Sequence, residues 1–281
     1  MDTIETIHKA LVQHGPHNDR IYLMRLNGAD PHRLITTLED LVRQKGYGKI
    51  FAKVPEPAWP AFQSADYVAE AVVPWFFNGR TGGYFISKYF SAGRQKDHTL
   101  EKRLGIARPE GEQHADPLRR GRWTTRHVVA CQASDAEQMS DIYHKVFRTY
   151  PFPIQKPGYL ERMMKEGVRY YCIRIDGRIA AIAAAEIDFR NENVEMTDFA
   201  TLPEWRGLGL AGLLLRHMDR KMRDRGIKTA YTIARAASHG MNAVFRNKRY
   251  LYAGLLKNNT QISGQIESMT VWYKPLRGHT E

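Results

Sequence analysis

The stretch Thr197–Met222, TDFATLPEWRGLGLAGLLLRHMDRKM, joins a β-rich segment, a glycine-containing bend and an amphipathic helix. Glycine weakens regular structure, because each costs roughly 0.5–1 kcal/mol relative to alanine. A ligand can compensate, since the first amides of a helix lack internal acceptors and the helix dipole adds positive charge there. The bend Arg206–Ala211 therefore predicts a cradle for a pyrophosphate group, with the Arg206 guanidinium beside it.

Two other interpretations of this bend are weaker. A plain turn with a helix cap would explain the glycines alone, but it does not explain the arginine or the long helix that follows. A dinucleotide-binding fold needs the spacing G-x-G-x-x-G, which the bend does not match. The Asp176-Gly177 dipeptide also predicts a hairpin just before it, and hence an antiparallel sheet.

Composition and charge limit the classes of function that the protein can have. A chain of 281 residues forms one large or two small domains. The net charge of +12 comes from bases mostly interspersed with acids, which favours a solvated surface or an anionic cosubstrate and makes nucleic acid an unlikely partner. We see no signal peptide or membrane span, and Cys131 and Cys172 lack metal-site spacing. We therefore expect a cytoplasmic protein without a metal or a membrane partner.

The order strand, helix, strand, helix, strand, strand occurs twice, over residues 20–90 and 193–276. The two helix-to-strand joints, FQSADYVAEAVV and FRNKRYLYAGLL, also look alike. This is either generic α/β alternation or an N-terminal half-copy of the C-terminal fold that lacks the glycine loop. We predict domains over residues 1–92 and 126–281, joined by a charged linker over residues 93–125.

From its glycine loop and flanking elements, the chain resembles the GNAT superfamily of N-acetyltransferases over roughly residues 126–276. The resemblance implies an α+β, in part α/β, fold: a mixed, mostly antiparallel sheet flanked by helices, preceded by a degenerate half-GNAT domain. It also implies that the strand over residues 193–202 splays from the strand KTAYTIARA and leaves a V-shaped slot for the pantetheine arm of acetyl-CoA. The implied acetyl-CoA contacts are Thr201, Leu202, Arg206, Gly207, Leu208, Gly209, Leu210, Ala211, Asn242 and Phe245.

A narrower resemblance extends through the N-terminal region. The segments KIFAKVP, DYVAEAVVPWFFNG and TAYTIARAASHGMNAVFRNKRYLYAGLLKNNTQISGQIESMTVWYKPL look like the β-lysine N-acetyltransferases. This implies acetylation of the terminal amine of β-lysine, 3,6-diaminohexanoate, giving Nε-acetyl-β-lysine, a compatible solute. The alternatives are acetylation of lysine, a polyamine or a protein lysine, or a non-catalytic GNAT-fold binding module. The sequence leaves the oligomeric state open, a homodimer included.

Acyl transfer to an amine requires a base, because a free alkylammonium has a pKa of about 10.4. Glu195 and Asp198 are the candidates, and strand alternation predicts that they point to opposite faces. Glu195 would share its face with Thr197, and Asp198 would share its face with Met196. We favour Glu195 as the base; its alternative role is an exposed strand-end carboxylate, and that of Asp198 is a buried core residue.

A general acid and a substrate pocket are less well marked in the sequence. Many GNAT enzymes protonate the thiolate with a tyrosine, but the corresponding position is Phe245, so Tyr250 or Tyr252 substitutes or no acid is used. Asn242 would bind CoA or cap the protein's own structure. Glu267 would hold a substrate ammonium or pair with a surface base. The candidates to bind the carboxylate end of the substrate are Arg80, Arg94 and Arg235. Three further residues, Asn258, Asn259 and Thr260, line the substrate pocket or only shape a turn.

Overall fold

The computed structural model of the protein describes residues 2–96 and 123–276. Within these ranges the strands form one continuous sheet of 13 strands. The N-terminal half contains β1 (Thr3–Ile7), β2 (Ala10–Gly15), β3 (Arg20–Arg25), α1 (Pro31–Lys45), β4 (Lys49–Pro55), α2 (Trp59–Gln63), β5 (Val68–Phe77), β6 (Thr81–Tyr89) and α3 (Ala92–Gln95). The C-terminal half contains β7 (Val128–Ala130), α4 (Ala136–Val146), α5 (Pro157–Lys165), β8 (Arg169–Ile175), β9 (Arg178–Asp188), β10 (Asn193–Thr201), α6 (Leu210–Asp224), β11 (Thr229–Arg235), α7 (His239–Asn247), β12 (Leu251–Ile262) and β13 (Gln265–Pro275).

The strand order is β1-β2-β3-β4-β6-β5-β12-β13-β11-β10-β9-β8-β7. Two neighbouring pairs, β3–β4 and β10–β11, are parallel, and the other pairs are antiparallel. The mixed, mostly antiparallel sheet expected from the sequence is therefore confirmed. Read outward from the centre, β5-β6-β4-β3-β2 and β12-β13-β11-β10-β9 have the same order and the same relative directions.

The two helix-to-strand joints also have the same local geometry, as their sequences suggested. The Phe62 and Tyr67 rings meet edge-on at 5.2 Å, and those of Phe245 and Tyr250 do so at 5.4 Å. In each joint the tyrosine amide donates to the phenylalanine carbonyl, at 3.1 Å and 3.0 Å. The residue before each tyrosine has a positive φ, 62° in one joint and 65° in the other.

The two halves of the sheet meet at residues that occupy equivalent positions after the two helix-to-strand joints. Ala71 and Gly254 each lie nine residues after the joint phenylalanine, and they pair with each other across antiparallel β5 and β12. Gly254 has a φ of 154°, and a Cβ atom there would overlap the Glu70 carbonyl oxygen and lie 2.7 Å from the Ala71 Cα. Because these equivalent residues pair in antiparallel fashion, the two halves are related by an approximate local twofold axis.

Hydrophobic layers cover the sheet on both sides. Helices α1 and α2 cover one face of the N-terminal half, and α6 and α7 cover one face of the C-terminal half. Helices α4 and α5 cover β8–β10 on the opposite face. The remaining bare faces of the two halves pack against each other in a junction core, formed by Tyr22, Phe51, Ala71, Val73, Phe76, Phe85, Tyr231, Leu256, Met269, Val271 and Tyr273.

The sequence of helix α6 determines how the helix packs against the sheet. Leu214, Leu215, Met218 and Met222 recur at helical spacing and are fully buried against the sheet. The helix begins at Leu210, directly after a glycine in the left-handed region, and a second left-handed glycine follows its last turn. This stripe anchors the helix so that its N-terminus lies beside the end of β10.

Some element predictions were wrong. The strand expected over residues 126–135 is limited to Val128–Ala130, flanked by 3₁₀ turns. Strands β1 and β2 were not predicted, because their connecting turn places His8 and Lys9, rather than glycine or asparagine, at positive φ. Both cysteines are free thiols, and no helix in the described ranges is long and apolar enough to cross a membrane. Most of the predicted linker, residues 97–122, lies outside the described residues, so the domain boundaries stay a prediction.

Candidate active site

A slot opens between the parallel strands β10 and β11. They pair only at their first residues, the last pair being Glu195 with Tyr231. Beyond that pair, residues 196–201 and 232–235 no longer face a partner across the gap. The two strands therefore separate as predicted and leave a V-shaped slot, with Glu195 at its apex.

A β-bulge in β10 changes which side chains face the slot. Thr197 pairs with Ala184 but Ala200 pairs with Ile182, so β10 carries one extra residue. Asp198 lies inside this bulge, with a φ of 53°. Met196 packs against the α6 side of the sheet while Ala200 packs against the α4–α5 side, so the alternation reverses between them.

The predicted opposite orientation of the two candidate bases was therefore wrong. The Asp198 carboxylate accepts hydrogen bonds from the Tyr150 hydroxyl at 2.7 Å and the Thr197 hydroxyl at 3.2 Å. Tyr150 belongs to the α4–α5 connection, so Asp198 lies on the same side as Thr197 and Glu195. The prediction assumed that side chains alternate regularly between the two faces of the strand, and this alternation does not hold across a bulge.

Three carboxylates consequently converge at the slot: Glu186 on β9, Glu195 and Asp198. Glu186 is exposed at the sheet surface, but partial desolvation by its neighbours and the charges of Glu195 and Asp198 raise its pKa to about 8. Burial also raises the pKa of Asp198 to about 6, against the lowering effect of its hydrogen bonds from Tyr150 and Thr197. Glu186 and Asp198 therefore take up protons at higher pH than ordinary carboxylates do.

Glu195 has its own partners. The Tyr231 hydroxyl donates to its Oε2 at 2.9 Å, and the Lys53 Nζ lies 3.8 Å from the same oxygen. Its side chain is 16% exposed, so a substrate amine or a water can still reach it. Sequence reasoning identified Glu195 but missed Lys53, Tyr150, Glu186 and Tyr231, which come from four other segments of the chain.

The glycine loop has the geometry of an anion cradle. Gly207 and Gly209 have φ values of 79° and 76°, and a Cβ at Gly209 would meet no atom within 4 Å. In the described part of the chain the backbone N–H groups of residues 207–212 have no acceptor. Buried Leu208 and Leu210 anchor the loop to the α6 core.

Side chains around the loop add to this cradle. The Arg206 Nε donates to the Thr201 carbonyl at 3.2 Å, which holds the arginine at the end of β10. Lys248, which the sequence did not indicate, places its Cε 3.0 Å from where a Cβ of Gly212 would be. Burial and neighbouring cations lower the pKa of Lys248, and an anion beside it would relieve that repulsion. The loop therefore fits a pyrophosphate.

Comparison with known proteins agrees with this geometry. The model of the acetyltransferase (GNAT) family matches residues 136–248. A Beta-lysine N(6)-acetyltransferase of Methanococcus maripaludis is 36% identical over 98% of this chain and 99% of its own length. The chain belongs to the GNAT acetyltransferase family. It is thus an N-acetyltransferase of a family that takes the acetyl group from acetyl-CoA.

Two further relatives are similar to this GNAT enzyme. N-acetyltransferase YodP of Bacillus subtilis is 30% identical over 95% of this chain and 96% of its own length. A Beta-lysine N(6)-acetyltransferase of Methanosarcina mazei is 32% identical over 65% of this chain and 62% of its own length. The first of these matches shows that the similarity includes the N-terminal half.

Two residues expected to contact acetyl-CoA belong to the core instead. The Asn242 amide donates to the carbonyls of Arg235 and Ser238, and its oxygen accepts from Thr270 and Trp272. All its hydrogen-bonding capacity is thus used inside the GNAT fold, and the structural alternative holds.

Phe245 is 1% exposed and packs edge-on against Phe199 of β10. Of the remaining loop contacts expected from the resemblance, Leu202 is buried, while Thr201 and Ala211 lie half-buried beside the loop.

Neither tyrosine that could replace the missing acid lies at the slot. The Tyr250 hydroxyl is buried and donates to Asp219 at 2.7 Å. Tyr252 packs on Trp272 and is 53% exposed on β12, which β13 separates from β11. Strands in a sheet lie about 4.8 Å apart, so Tyr252 is too far from the slot to protonate a leaving group there. The prediction of Tyr252 as a catalytic residue was wrong.

The predicted substrate residues converge at the other end of the same face. Arg235 donates to buried Glu267 through Nε at 2.9 Å and Nη2 at 2.6 Å, which is the ion-pair alternative for Glu267. Thr260 pairs with Glu267 across β12 and β13. Arg20 of β3, a residue that the sequence did not indicate, donates to the Thr260 hydroxyl at 2.9 Å and to the Asn259 carbonyl.

The other candidates are separate from this group. Arg80 is exposed in the β5–β6 turn. Arg94 is buried against Asn18 and Asp19, and burial lowers its pKa. Asn258 uses its amide to bind backbone carbonyls of α3, so its role is to attach that helix to β12.

Proposed function

We propose that this enzyme transfers an acetyl group from acetyl-CoA to the terminal amine of β-lysine, giving Nε-acetyl-β-lysine. One observation carries the proposal: a carboxylate cluster at the apex of the slot and a paired arginine and glutamate lie on one face of the sheet. A substrate with an amine at one end and an amino-carboxylate at the other matches that arrangement. Two of the similar proteins bear this activity in their names.

The donor would bind at the glycine loop. The amides of residues 207–212, the Arg206 guanidinium and the Lys248 ammonium would hold its pyrophosphate, since all three present donors or positive charge near the N-terminal turn of α6. Acetyl-CoA supplies the acetyl thioester when it is bound. A thiol with an ordinary pKa near 8.5 leaves readily as its thiolate, so the phenylalanine at position 245, where many GNAT enzymes have a tyrosine, does not prevent the reaction.

Glu195 is the proposed base. An incoming ammonium is attracted by the cluster of Glu186, Glu195 and Asp198, whose combined charge favours cations. Glu195 lies at the apex of the slot and its Oε2 is oriented by the Tyr231 hydroxyl. It would take the proton from the amine directly or through one water. Asp198, with a pKa near 6, is the alternative acceptor.

The far end of the substrate would meet Arg235 and Glu267. From Tyr231 to Arg235 is four residues along β11, about 13 Å at the usual rise per residue. An extended 3,6-diaminohexanoate spans roughly 8 Å, and one polar contact of about 3 Å at each end brings the total close to that distance. Arg235 keeps its Nη1 free of Glu267 and would bind the carboxylate, while Glu267 and Asn259 would face the second ammonium.

A substrate panel with saturating acetyl-CoA tests the proposal. We expect kcat/KM to be highest for β-lysine, lower for α-lysine, and lower by orders of magnitude for hexylamine, spermidine and a lysine peptide. Each charged partner left unsatisfied costs roughly 1–3 kcal/mol or more. Equal turnover of hexylamine and β-lysine would refute the substrate assignment. Acetyl-CoA binding by calorimetry without turnover of any amine would favour a binding module. A cytoplasmic location, a compatible-solute role and a homodimer stay predictions from the sequence.

A further inference from the structure

The N-terminal half places a lysine beside the proposed base. Lys53 lies on β4, and its side chain is 14% exposed. Its Nζ donates to the Tyr231 hydroxyl at 2.9 Å, and that hydroxyl donates to Glu195 Oε2 at 2.9 Å. The ammonium, the phenol and the carboxylate therefore form a chain of hydrogen bonds that crosses from one half of the protein to the other.

The surroundings of Lys53 keep it charged. Its Nζ lies 5.4 Å from the centre of the Tyr22 ring and 5.2 Å from that of Tyr231, both within cation–π range. Desolvation opposes the charge, but Tyr22, Tyr231 and Glu195 outweigh it and raise the pKa of Lys53 well above its ordinary value. The lysine is therefore a fixed positive charge at neutral pH.

We infer that Lys53 is a positioning residue, which acts through the Tyr231 hydroxyl to orient Glu195 and to keep it ionised beside two other carboxylates. This inference rests on the proposed function in one respect, the choice of Glu195 as base. It assigns the N-terminal half a part in orienting the proposed base, although that half has no glycine loop.

The need for such a charge follows from the groups that face Glu195. Like charges disfavour ionisation of a carboxylate, whereas an opposite charge within about 4–6 Å lowers its pKa by about 1–3 units. Lys53, whose Nζ lies 3.8 Å from Glu195 Oε2, is such a cation. The titratable and charged groups around the cluster, taken element by element, are Tyr22 and Arg25 on β3, Lys53 on β4, Tyr143 on α4, Tyr150 in the following loop, Tyr159 on α5, Tyr170 on β8, Glu186 on β9, Asp198 on β10 and Tyr231 on β11.

The test compares the pH dependence of kcat/KM for the full-length wild type, Lys53→Met and Lys53→Arg. Without the ammonium, Glu195 should hold its proton to higher pH. The acidic limb of the kcat/KM profile of Lys53→Met should therefore move up by about 1–3 pH units. Lys53→Arg keeps the charge and should leave that limb near its wild-type position. A limb that stays in place in Lys53→Met would overturn the inference.

A matched control separates positioning from stability. Lys88 is also a half-buried lysine of the N-terminal half, paired with Glu39 at 2.9 Å and packed on the Tyr67 and Phe90 rings, but it lies away from the slot. Lys88→Met should lower the melting temperature without moving the acidic limb. The same limb shift in Lys88→Met as in Lys53→Met would show a purely structural effect and overturn the inference.

A measurement without turnover keeps this inference distinct from the proposed function. Carbon-13 NMR of selectively labelled glutamate gives the titration of Glu195, with Glu195→Gln as the assignment control. We expect its midpoint to rise in Lys53→Met and to stay in Lys53→Arg, whichever amine is the substrate. Failure of the wild type to acetylate β-lysine would refute the substrate alone, while an unmoved midpoint would refute the role of Lys53. If Lys53→Met does not fold, Tyr231→Phe removes the bridging hydroxyl, and an unchanged kcat in that variant would count against the inference.

Discussion

Gly254→Ala tests whether the contact between the two halves is as close as the structure indicates. A methyl group there would overlap the Glu70 carbonyl oxygen and lie 2.7 Å from the Ala71 Cα and 2.8 Å from its Cβ. These neighbours are backbone or directly attached to it, so they cannot rotate away. Strands β5 and β12 would have to separate at the only register pair that joins them.

The expected loss of stability has two parts. Overpacking costs typically 1–3 kcal/mol, and an alanine at a φ of 154° adds strain of order 1–3 kcal/mol. The sum, roughly 2–6 kcal/mol, is a large part of the stability of a protein of this kind. At about 2–4 °C per kcal/mol, the melting temperature should fall by roughly 5–20 °C.

Calorimetry and kinetics on one preparation check this expectation. We expect KM for the amine to rise, because Lys53 and Tyr22 move relative to Glu195, while acetyl-CoA affinity stays unchanged, because the glycine loop lies wholly in the C-terminal half. Gly158→Ala is the matched control, since its added Cβ meets no atom within 4 Å. A Gly254→Ala protein that melts within 2 °C of that control, on a scale of about 2–4 °C per kcal/mol, would refute the close-contact reasoning.

Three further outcomes are expected. Gly209→Asp or Arg206→Glu should abolish acetyl-CoA binding in calorimetry, because a carboxylate would face the pyrophosphate, whereas Gly226→Asp, at a similar φ beyond the other end of α6, should bind normally; normal binding by the loop variants would contradict the cradle. Glu195→Gln should lower kcat by roughly 10²–10⁴ near neutral pH and by less at high pH, where more free amine exists; an unchanged pH–rate profile would move the role to Asp198 or to solvent. The pKa of Glu186 is raised to about 8, so its ionisation opposes folding progressively as pH rises from its ordinary value near 4.5 to about 8. Glu186→Gln should therefore gain stability over the wild type at pH 9 but not at pH 4; equal gains at both pH values in thermal unfolding would contradict the shift.

The glycine loop could be predicted because its signals are local, whereas the slot was implied by the resemblance to the GNAT superfamily. Glycines at the start of α6, the apolar stripe along that helix and the hairpin before it are all read from short windows of sequence. Each reports a backbone conformation that the structure then shows, at Gly207 and Gly209 for example. Local patterns of this kind survive whatever the rest of the chain does.

The composition of the site could not be predicted in the same way. Lys53 and Tyr231 are 178 residues apart, and no periodicity indicates that the bare faces of two half-sheets meet. The bulge at Asp198 reversed the expected alternation of side chains, and no local pattern of residues around it indicates a bulge. Asn242 looked equally suited to a ligand or to the core, and only its four internal partners decided between these roles.

The two halves pack face to face, and under the proposed function they divide two recognition tasks between them. Donor binding would depend on a loop in one half, whereas the amine would meet side chains from both. The N-terminal side of the junction core next to Lys53 is lined by Tyr22, Met24 and Phe51. On the proposed function, substitutions there should change which amines the enzyme accepts without lowering its affinity for the acetyl donor. A duplicated fold that gave up its own phosphate loop would thereby have become a replaceable specificity module, and libraries restricted to that surface are the natural starting point for making new acetyltransferases from this one.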